Sequence, residues 1–253
     1  MKINMRFFLL ALFLILSLSA GIIPAIAAAQ KHWPRLIYSG QTTGKYIALT
    51  FDDSPMVETP DLLRLLDELD IKATFFVTGS NAEVRPEILK SIVESGHEIG
   101  NHTYSHPNVT KIDSEELENE LNVTNDIIRT WTGVIVHLFR PPGGNISSKI
   151  TKTVYDHDMT TVLWTANGAD CTNISASRIS SRVLRKCGPG GIILLHDGLP
   201  VTRDAVRTIV ETLRGKGYTF VTVGEMIEMT YGECPWPDQG ESGTLKPDDL
   251  PTL

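Results

Sequence analysis

Cysteine is scarce: a chain of 253 residues carries only Cys171, Cys187 and Cys234. So few thiols exclude a scaffold built from disulfides, although one bridge of open pairing is compatible with an oxidising compartment. Positive charge is short as well, with 23 Lys and Arg against 30 Asp and Glu, a net charge of −7 and no Lys/Arg cluster. That deficit argues against a nucleic-acid partner and says little about neutral sugars. No internal repeat is present, and long apolar runs are missing beyond the N-terminus.

Acidic residues are absent from positions 1–29. There Lys2 and Arg6 precede an apolar run over 7–18, followed by small-residue sites at Ala25-Ile26-Ala27 and Ala27-Ala28-Ala29. This is the pattern of a secretory signal peptide. The alternative is an uncleaved membrane anchor, since 7–29 is nearly long enough to span a bilayer. Gly21 and Pro24 interrupt that stretch and favour cleavage. Cleavage removes two positive charges and no negative ones, taking the net charge from −7 to −9. Both readings place the remainder outside the cytoplasm, secreted or at the cell envelope.

About 200 residues are left for one domain with a substantial core. The expected division is a leader or anchor over 1–29, a lead-in over 30–43, one domain over 44–232 and a disordered tail over 233–253. The tail is rich in Pro, Gly and Asp and lacks apolar periodicity. Within the domain, strands are expected over 46–51, 71–79, 97–100, 134–139, 161–164, 191–195 and 218–223. Helices are expected over 60–69, 86–94, 114–131, 175–186 and 201–214, with Thr59 and Ser114 as caps. Such alternation predicts an α/β fold with a parallel sheet. Asp52/Asp53, His102/His106, Arg140, Asp170 and His196 recur just after strands, positions that line one mouth of a parallel barrel. The sheet could close as a barrel or stay doubly wound; this clustering favours a single-domain parallel barrel of about seven strands, and a monomer is expected.

The chemistry starts at "ALTFDDSP", where an apolar run ends in two adjacent carboxylates, Asp52 and Asp53. Neighbouring anions repel and are costly to dehydrate, so a buried pair needs a cation or a shared proton. Further on, His102 and His106 stand at i and i+4, which on a helical turn sets both imidazoles on one face. With an aspartate they make a good ligand set for a borderline divalent ion, with coordination positions left for water and substrate. Strand side chains alternate, so one aspartate can bind the ion while the other takes a proton from water acidified by it. His196, after "GGIILL", is a candidate general acid. Asp170, in "ANGADC", could orient it or pair with Arg140. Arg140, in "LFRPPGG", could hold the base carboxylate ionised through a bidentate pair.

Asp52-Asp53 after "TF", the His-x3-His segment, "RPPGG", the Asp170 region and "LLHD" occur in that order. Together they resemble the five motifs of the polysaccharide deacetylase family, also called NodB-homology or carbohydrate esterase family four. The resemblance covers about residues 44–230. It implies a deformed (β/α) barrel and a metal-dependent hydrolase that removes acetyl groups from sugars by attack of metal-bound water. Asp52 would be the base and His196 the acid, with Asp53, His102 and His106 as ligands of the metal, usually zinc, with cobalt, nickel or manganese as alternatives. Arg140 would hold the base, and Asp170 would tune the acid. Gly143 N–H would help hold the oxyanion, and Leu194 would line the pocket for the acetyl methyl. Three positions depart from the family pattern: Ser54 where glycine is usual, Gly143 where an aromatic is common, and Cys171 where tryptophan commonly lines that pocket.

The expected substrate is an N-acetylglucosamine-type glycan, peptidoglycan or chitin-like. An O-acetyl ester on a xylan-like polysaccharide is one alternative. A non-catalytic glycan-binding module on the same fold is another, and it would predict a lost ligand, base or acid; none is missing.

Overall fold

The computed structural model describes residues 33–235; the expected leader over 1–29 and most of the tail over 233–253 lie outside them. The strands are β1 (Leu36–Ile37), β2 (Tyr46–Ser54), β3 (Thr74–Val77), β4 (Glu98–Asn101), β5 (Leu138–Phe139), β6 (Thr160–Val162), β7 (Ala166–Asn167), β8 (Gly191–His196) and β9 (Thr219–Val221). Between and after them run α1 (Thr59–Glu68), α2 (Gly79–Val84), α3 (Pro86–Glu94), α4 (Ser114–Thr132), α5 (Ser148–Asp156), α6 (Ala176–Lys186), α7 (Pro200–Gly215) and α8 (Val223–Tyr231).

Alternation of residue type along β2 sets the architecture. Ile47, Leu49 and Phe51 pack with Phe75, Val77, Ile193 and Leu195 in a cluster shared with the helices. Ala48, on the opposite face, joins Phe76, Leu138, Val162 and Ile192 in a second cluster. The two clusters mark the outside and inside of a curled sheet. All nine strands pair in parallel, in the order β1-β6-β5-β4-β3-β2-β8-β7 with β9 also on β2. Among the described residues β7 and β1, the two ends of that order, do not pair with each other, so the barrel is open on one side. The expected α/β barrel is what forms, with two strands beyond the seven anticipated, β1 and β7, each only two residues long.

Trp33 and α8 residues Val223, Met226 and Ile227 fill the inside at the N-terminal ends of the strands. The same parity carries Asp52, Arg140 and His196 to the inner face at the opposite end. Gly100 is forced by this interior, because a Cβ there would lie 2.6 Å from the Phe76 ring.

Glu98 ties the closed end together. Its carboxyl accepts from Thr74 Oγ1 (2.6 Å) and Gly224 N (3.0 Å), the latter at the N-terminus of α8. Burial outweighs these bonds and pushes Glu98 up to about 7. The adjacent His97 accepts from Ala73 N through Nδ1 (3.1 Å); burial and nearby Lys72 pull it down to about 4. Glu98 is raised, so its contribution is complete below about 4.5 and lost as pH rises through about 7. His97 is depressed, so folding loses stability as pH falls from about 6.5 towards about 4. The two slopes oppose each other between about 4.5 and 6.5. Glu98→Gln is therefore expected to gain on wild type at pH 8 and to lose that advantage progressively towards pH 5. The swing is about 2 kcal/mol. Urea unfolding of both proteins at several pH values checks it; parallel pH profiles would refute it.

Candidate catalytic and metal centre

Arg140 stands at the centre. It follows β5, is fully buried, and stacks its guanidinium over the Phe76 ring at 4.0 Å. Its Nη1 donates to Asp52 Oδ1 and to Thr50 Oγ1, both at 2.7 Å. Nε and Nη2 donate to the carbonyls of Val162 and Leu163. The contact with Asp52 is single, not the bidentate pair expected, because the remaining donors are taken by that backbone.

Strand alternation would send Asp52 and Asp53 to opposite faces. Instead the β2–β3 register shifts between Phe51 and Ser54, and Asp53 takes a left-handed φ of 67°. Both carboxylates then approach one imidazole: Asp52 Oδ2 and Asp53 Oδ1 each lie 3.7 Å from His102 Nε2. Asp53 Oδ1 is also 3.5 Å from His106 Nε2.

The histidine pair does not sit on a helical turn. Residues 102–107 form an irregular loop, with Thr103 and His106 at positive φ (67° and 58°). Two non-glycine residues in that region are unfavourable by about 1–2 kcal/mol each. Glu120 on α4 offsets this by accepting from Tyr104 N (2.7 Å), Ser105 N (2.8 Å) and Ser105 Oγ (2.7 Å). Asn101 Oδ1 accepts from Thr103 N (2.7 Å). The rings still meet edge to face, with centroids 5.0 Å apart.

Donor chemistry tests whether a cation fits. His102 Nδ1 lies 2.7 Å from the Arg140 carbonyl, which only accepts, so Nδ1 carries the hydrogen and Nε2 presents a lone pair. Burial, the largest influence, lowers the His102 pKa and favours the neutral ring. Lone pairs thus face carboxylate oxygens just beyond hydrogen-bond range. Ligands about 2.0–2.2 Å from one tetrahedral ion stand at comparable separations. The group Asp53, His102 and His106 fits a divalent ion.

On β8, His196 pairs in register with Asp52 on β2. Its Nδ1 is 2.9 Å from Asp170 Oδ1, and Asp170 Oδ2 accepts from His196 N and Thr202 Oγ1. Of the two partners open to Asp170, it takes His196. Burial favours a neutral His196, but bonds with Asp170 and Cys171 and the charges of Asp170 and Asp52 push it up to about 11. Burial likewise works against ionised Asp170, and the bonds from His196 and Thr202 prevail and lower it. Cys171, though exposed, brings its sulfur within 4.8 Å of this pair. That second Asp/Cys/His group suits a metal poorly, since an imidazole holding its proton so firmly offers no lone pair at Nδ1.

Leu194 is buried on β8 beside Thr50. Gly143 is an exposed turn residue with φ 65°, a conformation that disfavours any side chain. Supporting residues come from places the motifs do not announce. Asp197 accepts from Ser54 Oγ (3.0 Å), Thr59 Oγ1 (2.5 Å) and Gly198 N (2.7 Å), and its own N–H donates to the Asp52 carbonyl (3.0 Å). It staples the carboxylate turn to the His196 strand. Only its place beside His196 in "LLHDG" hints at this; Glu120 carries no local signal at all.

The sequence profile described as polysaccharide deacetylase matches residues 39–162. A peptidoglycan-N-acetylglucosamine deacetylase of Bacillus cereus is 38% identical over 196 residues, covering 76% of this chain and 71% of the relative. The crystal structure of the Bc1960 peptidoglycan N-acetylglucosamine deacetylase superposes with a TM-score of 0.75 at 36% identity, covering 82% of this chain and 98% of that one. A carbohydrate esterase family four pseudoenzyme from Bacillus anthracis gives 0.74 at 32% identity, covering 77% and 69%.

Proposed function

This chain belongs to the polysaccharide deacetylase family, and from that premise we propose that it hydrolyses the N-acetyl group of an N-acetylglucosamine-type glycan, peptidoglycan or chitin-like, with a divalent metal as cofactor. One observation carries the reading: the ligand atoms of Asp53, His102 and His106 converge beside an Asp52 held by Arg140, with His196 in register on the next strand. A pseudoenzyme can keep this fold, so the filled positions matter more than the fold.

When bound, a divalent ion, zinc foremost, supplies Lewis-acid polarisation of the acetyl carbonyl and acidifies a water. Asp53, His102 and His106 hold it. Asp52 removes the proton of the attacking water, and Arg140 fixes which of its oxygens points at the site. Asp170 holds His196 protonated and aimed, so that it delivers a proton to the departing sugar nitrogen. Gly143 N–H stabilises the oxyanion, and Leu194 with Cys171 bounds the methyl pocket. Such a substrate places the enzyme at the cell envelope. No helix among the described residues is long and apolar enough to cross a membrane; the expected leader lies outside them.

Acetate release from chitotetraose, peptidoglycan fragments and acetylxylan tests the reading. Release from the first two, accompanied by free amine, is expected. Release from acetylxylan alone would reassign the enzyme to O-acetyl esters, and none from any would leave a binding module.

A further inference from the structure

Helix α6 is the exception on an acidic molecule. It carries Arg178, Arg182, Arg185 and Lys186, and no Asp or Glu occurs between Asp170 and Asp197. The three arginines, spaced by four and three, share one exposed face, whereas Ile179, Ser180 and Val183 are buried. The sequence taken as a string shows no basic cluster; the helix makes one.

Among the described residues these side chains also lack counter-ions. Arg64, Arg129, Arg203 and Arg207 each pair with a carboxylate. Among the described residues no acidic group pairs with any of the four on α6. A groove of about 270 Å³ runs between Arg178, Arg182 and Arg185 on one side and Thr172 and Ile174 on the other. Thr172 is two residues beyond Asp170, the partner of His196. A helix that follows a parallel strand starts at the mouth and runs back down the outside. The stripe therefore begins at the rim of the catalytic site and descends about 10 Å along the barrel wall.

We propose that this groove binds the anionic groups, carboxylate or phosphodiester, of a branch hanging from the glycan whose acetylated sugar occupies the mouth. The proposal rests on the deacetylase reading and narrows its substrate to a branched, acidic glycan. A lipid surface fits less well. The apolar residues of α6 point inward, and the exposed large apolar residues, Tyr38, Val57, Val84 and Met229, lie elsewhere. Interspersed arginines suit bidentate capture of carboxylate and phosphate oxygens.

The test compares wild type with R178Q/R182Q/R185Q. One readout is binding to insoluble peptidoglycan sacculi, and the other is acetate release from chitotetraose. The variant is expected to bind sacculi about tenfold more weakly, with a much smaller change on the neutral oligosaccharide. Wild-type binding should weaken as salt rises from about 0.05 to 0.5 M. Dependence on extractable phosphodiester polymer, or on peptide stems removable by an amidase, identifies the anion, and either supports the proposal. Three results would overturn it: equal losses on sacculi and chitotetraose, no loss on sacculi, or capture by anionic phospholipid vesicles in place of sacculi. If wild type binds sacculi through the stripe yet releases no acetate, the groove stands and the deacetylase reading fails.

Discussion

Asp52→Asn is expected to lower kcat by about 10³-fold, the middle of the range for loss of a general base. Asparagine keeps a carbonyl oxygen for Arg140 Nη1, now 2.7 Å from Asp52 Oδ1, so the local fold should hold. What disappears is the ability to accept a proton beside the lone pair of His102, 3.7 Å from Asp52 Oδ2. KM and metal content should stay near wild type, because the ligand group Asp53, His102 and His106 is intact. Steady-state kinetics paired with elemental analysis separates the two. Turnover within tenfold of wild type would remove Asp52 as the base, and loss of metal together with turnover would move it into the ligand set.

His102→Ala should abolish turnover by a different route. His102 is buried (1% exposed), and its ring joins the Arg140 carbonyl to the two aspartates. Four-ligand zinc sites bind with about 10–16 kcal/mol in total, so one lost ligand costs on the order of 3 kcal/mol, about 10²-fold in affinity. The orphaned carbonyl adds about 1–3 kcal/mol of lost stability. Competition with a chromogenic chelator measures the first effect, and urea unfolding of the metal-free proteins measures the second. Full retention of stoichiometric zinc would remove His102 from the metal centre and, with it, the coupling of base and cation on which the proposed chemistry depends.

Much of the fold was legible because parallel β/α units repeat a simple alternation. Pro86–Glu94 forms as its periodicity predicts. Boundaries were less legible where capping decides them. Asp113, not Ser114, caps α4, accepting from Glu116 N at 2.9 Å. Helix α8 forms where only a strand end was expected, although Thr222 and Glu225 make a capping box that could have revealed it. At the site, the motifs disclose which residues gather but not how. The expected helical turn at His102 and His106 fails because Glu120, remote in sequence, dictates the loop. Alternation fails at Asp52 and Asp53 because one left-handed residue rotates the second carboxylate back towards the first. The first effect is encoded outside the segment it reshapes, and the second in a backbone angle that residue type alone does not announce.

The loop at 102–106 has a corollary for anyone transplanting it. Its shape is borrowed from a neighbouring helix, so the portable unit is the whole span from Asn101 to Glu120. Five residues moved alone into a foreign barrel would relax to ordinary dihedral angles and let their two imidazoles drift apart.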